Sequence, residues 1–343
     1  MHIGILTGGG DCPGLNAAIR GVTRRSIDSY GSTVVGIHNG WAGLINGDTE
    51  PLSLYSVSGI LGRGGTILGT SRTNPVKHAD EVEMIKENVK KFGLDAVVAI
   101  GGEDTLGAAA KLNEMGIPMV GLPKTIDNDI VGTEYTFGFD TAVTIATDAI
   151  DRLHTTAESH HRVMVIEVMG RHTGWIALKA GIAGGADCIL IPEDPVPISY
   201  ICDLVSLRKE RGKTFSLVVV AEGFTPKDAD QFVVQDEKRD EFGHVRLGGI
   251  GHLIGAQIEK QSGTETRVTI LGHIQRGGSP TAYDRVLATR YGVAAADLVH
   301  KGEFGRMVAL QSSKITSIPL SDMVGKIRTV DLDLYEVAKV FFG

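Results

Sequence analysis

Short apolar runs alternate with amphipathic stretches along nearly the whole chain. HIGILT (2–7) precedes helical spacing at 15–29, and STVVGIH (32–38) is the next apolar run. A helix at 80–92 leads to LDAVVAI (94–100), and one at 105–115 leads to PMVGLPK (118–124). Helix 140–160 then precedes RVMVIEVMG (162–170), and helix 173–182 precedes DCILIP (187–192). Helix 198–211 leads to FSLVVVAEG (215–223), helix 248–261 to RVTILGH (267–273), and helix 281–300 follows. β-branched runs flanked by glycine predict buried parallel strands, with the helices as crossovers. The class is α/β, with two open, helix-covered sheets.

No period of 20–50 residues repeats, and no low-complexity linker marks a boundary. The long helix starting near Asp140 is the natural passage between domains, with a boundary near residue 139. The polar stretch 225–244 reads as an exposed hairpin or loop.

A length of 343 residues is long for one core, which agrees with two domains. The 45 glycines, about twice ordinary usage, cluster beside apolar segments and announce tight turns. A formal charge of −7 gives no drive towards nucleic acid or acidic lipid. Cys12, Cys188 and Cys202 lie far apart, without zinc or disulfide spacing, as expected in a reducing cytoplasm. No apolar run approaches the ~20 residues of a membrane span. The opening MHIGILTGGG reads as a buried strand entering a turn rather than a signal peptide.

In open α/β sheets, ligands sit beyond the carboxyl ends of strands, and chemically loaded segments fall there. TGGGDCPG (7–14) offers backbone N–H groups to phosphate, although it is neither a P-loop nor GxGxxG, and alone it is equally a tight turn. GRGGTILGTSR (62–72) adds hydroxyls and Arg72, which can neutralise a transferring phosphoryl group. PKTIDNDI (123–130) brings Lys124, Thr125, Asp127 and Asp129; one carboxylate can accept a hydroxyl proton and another can hold Mg²⁺. GGEDT (101–105) adds Glu103 and Asp104, where two glycines would ordinarily admit a phosphate. Acids grouped with Asp127 and Asp129 repel unless a cation stands among them. LGHIQRGGSPTAYDR (271–285) supplies His273 and Arg276. Arg162 and Arg267 begin two strands, the wrong end for the same pocket. The His154, His160, His161 group lacks zinc spacing and reads as a polar helix end.

Together GGGDCPGLNAAIRG, GGTILGTSR, GGEDT, PKTIDND, TFGFDTA, VMGRHTGWIA, AEG and LGHIQRGGSPTAYDR resemble the 6-phosphofructokinase family, in family order and over nearly the whole chain. The resemblance implies two Rossmann-like domains with mostly parallel sheets, an active site in the interdomain cleft, and a homodimer or homotetramer. It implies a domain of 1–138 plus about 280–325 for the phosphoryl donor and Mg²⁺. The domain for the sugar phosphate is then about 139–279 plus 326–343. It makes Asp127 the base for the fructose 1-hydroxyl, with Thr125 and Arg171 around the transferring phosphoryl. Glu103 and Asp129 match acidic positions around Mg²⁺, although the family more often has Asp at position 103. Gly10 and Arg72 match donor contacts; Met169, Gly170, Glu222, His273 and Arg276 match the sugar-phosphate pocket. Arg162 and Arg267 match arginines reaching the 6-phosphate of a neighbouring subunit, which accounts for their place at the wrong strand ends.

ATP-using relatives typically carry glycine at position 104. Asp104 fills that space and repels an α-phosphate, and Lys124 can reach the donor phosphate. The Asp104/Lys124 pair therefore resembles the pyrophosphate-dependent branch, with pyrophosphate and fructose 6-phosphate as substrates. The alternatives are an ATP-dependent 6-phosphofructokinase and a catalytically silent phosphosugar-binding subunit. Arg20 and Arg24 align with an effector region of bacterial relatives. His154 and Leu54 depart from that region's pattern, so weak or absent allostery is expected.

Overall fold

The computed structural model describes residues 1–228, 234–236, 242–243 and 246–343. The chain divides into two compact units. The first takes Met1–Thr141 and Arg276–Ile327, and the second takes most of 142–275 with Arg328–Gly343. In chain order the first unit opens with β1 (His2–Thr7), α1 (Leu15–Arg24), β2 (Thr33–Ile37), α2 (Trp41–Asn46) and β3 (Thr49–Leu52). It continues with α3 (Ala79–Lys91), β4 (Ala96–Gly101), α4 (Glu103–Glu114), β5 (Met119–Thr125) and β6 (Phe137–Gly138). Helix α5 (Phe139–His160) begins in the first unit and continues into the second. There follow β7 (Val163–Val168), α6 (Trp175–Ala183), β8 (Cys188–Leu190), α7 (Ile198–Glu210) and β9 (Ser216–Ala221). After β10 (Val234–Asp236), β11 (Arg246–Leu247), α8 (Ile250–Ser262) and β12 (Thr266–Ile270), the chain returns to the first unit. It does so through α9 (Ala282–Lys301), β13 (Arg306–Gln311) and β14 (Lys314–Pro319), and α10 (Leu332–Lys339) closes the second unit.

The first sheet runs β14-β13-β5-β4-β1-β2-β3, with β6 paired to β5. β1, β2, β4, β5 and β13 are parallel, while β3 and β14 pair antiparallel at the two edges. Leu6, Ile37, Val97, Met119 and Met307 from its strands pack with Trp41, Leu44, Leu106 and Leu112. The second sheet, β12-β7-β9-β8, is parallel throughout. Val163, Val165, Val218 and Val220 of its strands meet Ile201, Val205, Ile254 and Ile258 of α7 and α8. Each such side chain, fully buried, contributes about 1.5–3 kcal/mol, which is why continuous β-branched runs become central strands.

The predicted elements form, with shifted ends. The largest consequence is at α4, which starts at Glu103 rather than 105, so both acids belong to its first turn. Carboxylates are stabilised there by the helix dipole and the unpaired N–H groups. α2, β3, β13, β14 and α10 do not show in the apolar periodicity of the chain. Six residues are too few to display a helical period, and β3 carries a proline at a sheet edge. The β13–β14 hairpin turns on Ser312 and Ser313, both at positive φ (48° and 65°), where asparagine–glycine is the usual signal. The expectation for 225–244 falls largely outside the described residues; Val234–Asp236 pairs antiparallel with Arg246–Leu247.

Candidate active site

In the first unit the loaded segments follow β1, β4 and β5, which are adjacent and in register: Thr7 lies opposite Ile100, and Gly101 opposite Pro123. The loop after β1 is zipped to residues 69–72. Gly9 N–H donates to Ser71 O at 3.1 Å, and Thr70 Oγ1 donates to Gly9 O at 2.6 Å. Arg72 emerges exposed from the end of this zipper. Asn16, fully buried, fixes the preceding loop: its amide donates to Arg63 O at 3.0 Å and its oxygen accepts Ile67 N–H at 2.8 Å. A Cβ at Gly10 would lie 2.6 Å from the Arg276 guanidinium, so a larger residue there would push that side chain aside.

Lys124 is 2% exposed. Its ammonium donates to Gly8 O at 3.0 Å and to Gly10 O. Burial lowers its pKa, and the guanidinium of Arg276 adds to the effect. The carbonyls of the glycine loop thus turn towards Lys124, a role as loop anchor that the sequence did not disclose.

Asp127 is buried and sits above Thr125. Its N–H donates to Thr125 Oγ1 at 3.0 Å, and that hydroxyl lies 3.4 Å from Asp127 Oδ2. Asn128 holds the left-handed region (φ 54°) between Asp127 and Asp129. Its side-chain oxygen accepts Thr136 N–H at 3.0 Å, while Thr136 Oγ1 donates to Thr125 O at 2.8 Å. A non-glycine residue at such φ is held by its surroundings at a cost of roughly 1–3 kcal/mol. Asp129, Glu103 and Asp104 are half-buried. Among the described residues no three His, Cys, Asp or Glu side chains form a metal-holding group. The donor chemistry nevertheless fits Mg²⁺, which takes one or two carboxylates and completes its shell with water and phosphate oxygens.

In the second unit, Met169, Gly170 and Arg171 follow β7, and Glu222 follows β9 beside it. Arg171 N–H donates to Glu222 Oε1 at 3.2 Å, and Arg171 is itself at φ 54°. Gly170 has φ 148°, and a Cβ there would overlap Thr173 O, so only glycine suits. His273 is exposed in the turn 272–276 after β12. Gln275, in the same turn and fully buried, accepts Met169 N–H at 3.3 Å. Sequence reasoning missed it, although its place between His273 and Arg276 was a signal.

Arg162 and Arg267 are not brought to this group. They stand at the opening ends of β7 and β12, where Arg162 Nε lies 2.8 Å from Glu265 and Arg267 pairs with the same carboxylate. Six strand residues at ~3.3 Å rise put them roughly 20 Å from Met169, too far for one phosphosugar. Arg24, from the expected effector region, pairs with Asp28 at 3.3 Å one turn along its helix.

The phosphofructokinase family model matches residues 2–299, and the chain belongs to that family. It is 56% identical to pyrophosphate–fructose 6-phosphate 1-phosphotransferase of Streptomyces coelicolor, over the full length of both chains. It is also 51% identical to an ATP-dependent 6-phosphofructokinase of Corynebacterium efficiens, covering 100% of this chain and 99% of that one. Among solved structures, phosphofructokinase from Saccharomyces cerevisiae superposes with a TM-score of 0.81 at 32% identity; the match covers 99% of this chain and 46% of the yeast chain.

Proposed function

We propose that the chain transfers a phosphoryl group reversibly between pyrophosphate and the 1-hydroxyl of fructose 6-phosphate, giving fructose 1,6-bisphosphate and phosphate. Asp127 takes the hydroxyl proton as the oxygen attacks; aspartates are ordinarily ionised at neutral pH. Thr125 and Arg171 neutralise charge on the equatorial oxygens, while Arg72 and the Gly10 end of the glycine loop hold the donor. Lys124 fixes that loop through its carbonyls. Glu103 and Asp129 would hold Mg²⁺, which supplies charge neutralisation between donor oxygens. Met169, Gly170, Glu222, His273 and Arg276 bind the sugar phosphate. Arg162 and Arg267 serve the 6-phosphate of a second copy, making the enzyme a homodimer or homotetramer. Three buried free cysteines suit a reducing cytoplasm.

The observation that carries the donor assignment is Asp104 in the first turn of α4. A helix N-terminus after two glycines would otherwise attract a nucleotide phosphate. Here the chain supplies the anion itself, and a nucleotide's α-phosphate meets repulsion and bulk. Pyrophosphate has no atoms in that position.

The similarity to an ATP-dependent relative makes ATP the competing donor. Initial rates with each donor at equal Mg²⁺ separate the readings. Turnover with pyrophosphate and little with ATP is expected. Rapid turnover with ATP and none with pyrophosphate overturns the donor assignment. Tight fructose 6-phosphate binding without turnover on either donor would mark a silent subunit instead.

A further inference from the structure

One fully buried carboxylate in the first unit has no part in this chemistry. Asp284, near the start of α9, is 0% exposed. Its Oδ2 accepts the Thr141 N–H at 2.8 Å and the Thr141 hydroxyl at 2.6 Å. The backbone N–H of Gly138 also hydrogen-bonds to this carboxylate. The Thr141 oxygen in turn accepts Thr281 N–H at 3.0 Å. Thr281, the N-cap of α9, accepts Asp284 N–H at 3.3 Å and donates its hydroxyl to Asp140 at 2.6 Å. Asp140 and Thr141 lie in the first turn of α5. The first turns of α5 and α9 therefore cap each other through two threonines and two aspartates, all within the first unit.

Capping alone does not call for this arrangement. A solvent-facing Ser or Asp caps a helix without desolvation, whereas a fully buried carboxylate is costly even when hydrogen-bonded. What distinguishes Asp284 is the segment it grips. Four and three residues before Thr141, Phe137 and Gly138 pair with Lys124 and Thr125. One residue earlier, Thr136 binds Thr125 O and the Asn128 side chain, on either side of Asp127. Gly138 has φ 99°, and a Cβ there would overlap the Cys12 sulfur, so the strap packs closely against Cys12 at this point.

We infer that Asp284 is a positioning residue for the phosphoryl transfer, holding strap 136–141 against β5 and so fixing the Thr125–Asn128 turn that aims Asp127. This rests on the function proposed above. Two variants loosen the strap: Asp284→Ala, and the isosteric Thr141→Val, which removes the hydroxyl at the centre of the network. Each should lower kcat about ten- to a hundredfold, with KM for both substrates within about twofold. Asp284→Asn, whose amide oxygen can still accept both Thr141 bonds, should keep at least about a third of kcat. Rates are taken well below each variant's melting temperature.

A purely structural role predicts otherwise: Asp284→Ala melts earlier while kcat per folded molecule is unchanged. That result overturns the inference, as does an Asn variant as slow as the Ala one. Should Asp284→Ala not fold, wild-type kcat in Thr141→Val is equally fatal. Amide hydrogen exchange at 125–129 needs no substrate. It should quicken in Asp284→Ala and Thr141→Val and stay slow in Asp284→Asn. Equal exchange in all of them overturns the positioning role even if the proposed reaction itself proves wrong. Absent turnover with altered exchange condemns only the functional reading.

Discussion

Arg162 and Arg267, separated by about a hundred residues in sequence, share one carboxylate: Glu265 lies 2.8 Å from Arg162 Nε and also pairs with Arg267. Their strands are neighbours in register, with Thr266 opposite Val163. Both guanidiniums are thereby held at the strand ends opposite Met169 and Glu222. A phosphate bridged by two arginines is a strong, geometrically selective contact. If they serve a second copy, Arg162→Ala should raise KM for fructose 6-phosphate about tenfold or more and leave kcat near wild type. Co-expressing Arg162→Ala with Asp127→Ser chains should then give hybrids more active than the summed parents. Hybrids no better than that sum would place the arginines and the base in service of one chain's own site.

Asp127→Ser removes the proton acceptor and leaves a small polar group. Turnover should fall about a hundred- to ten-thousandfold, with fructose 6-phosphate affinity changed by no more than a few fold. Steady-state rates and equilibrium titration check the two halves separately. A variant that retains its rate removes Asp127 from the role of base.

Asp104→Gly takes away both bulk and charge from the first turn of α4. ATP-dependent turnover should appear or rise, and the rate ratio of pyrophosphate to ATP should drop by about tenfold or more. Because glycine is a poor helix former and the acid favours the helix N-terminus, a stability loss of about 1 kcal/mol is expected alongside. No gain with ATP would mean that another feature excludes the nucleotide.

Burial pushes the Asp284 carboxyl up to about 6, against the Thr141 hydrogen bonds that pull it down, with neighbouring Asp140 raising it further. The unfolded chain releases this proton near 3.8, so the folded state binds it more tightly. This group's contribution to stability is therefore full below about 3.8 and is lost as pH rises through about 6. Relative to Asp284→Asn, wild type should lose stability between about pH 4 and pH 7, by at most about 3 kcal/mol. Thermal unfolding of both proteins across that range measures it. A difference that grows in favour of wild type with pH would reverse the sign and refute the assignment.

Much of this was legible in the sequence because local patterns encode it. Continuous β-branched runs flanked by glycine can only be satisfied as central parallel strands, and that alone places the segments around Gly10, Glu103, Asp127 and Met169 at strand ends. The separate placement of Arg162 and Arg267 also followed from their position before apolar runs. What the sequence left undecided depends on neighbours distant along the chain. A helix boundary shifted by two residues carried Glu103 and Asp104 into α4, because the helix dipole favours acids in the first turn, which a period count does not register. Lys124 proved to be a loop anchor only once β4 had brought β5 and β1 into one sheet, with Gly8 and Gly10 within its reach. Gln275, Asn16 and Asp284 are ordinary polar residues in the text of the chain. Burial turns each into a fixed hydrogen-bonding centre, since a polar group removed from water has to find its partner in the fold.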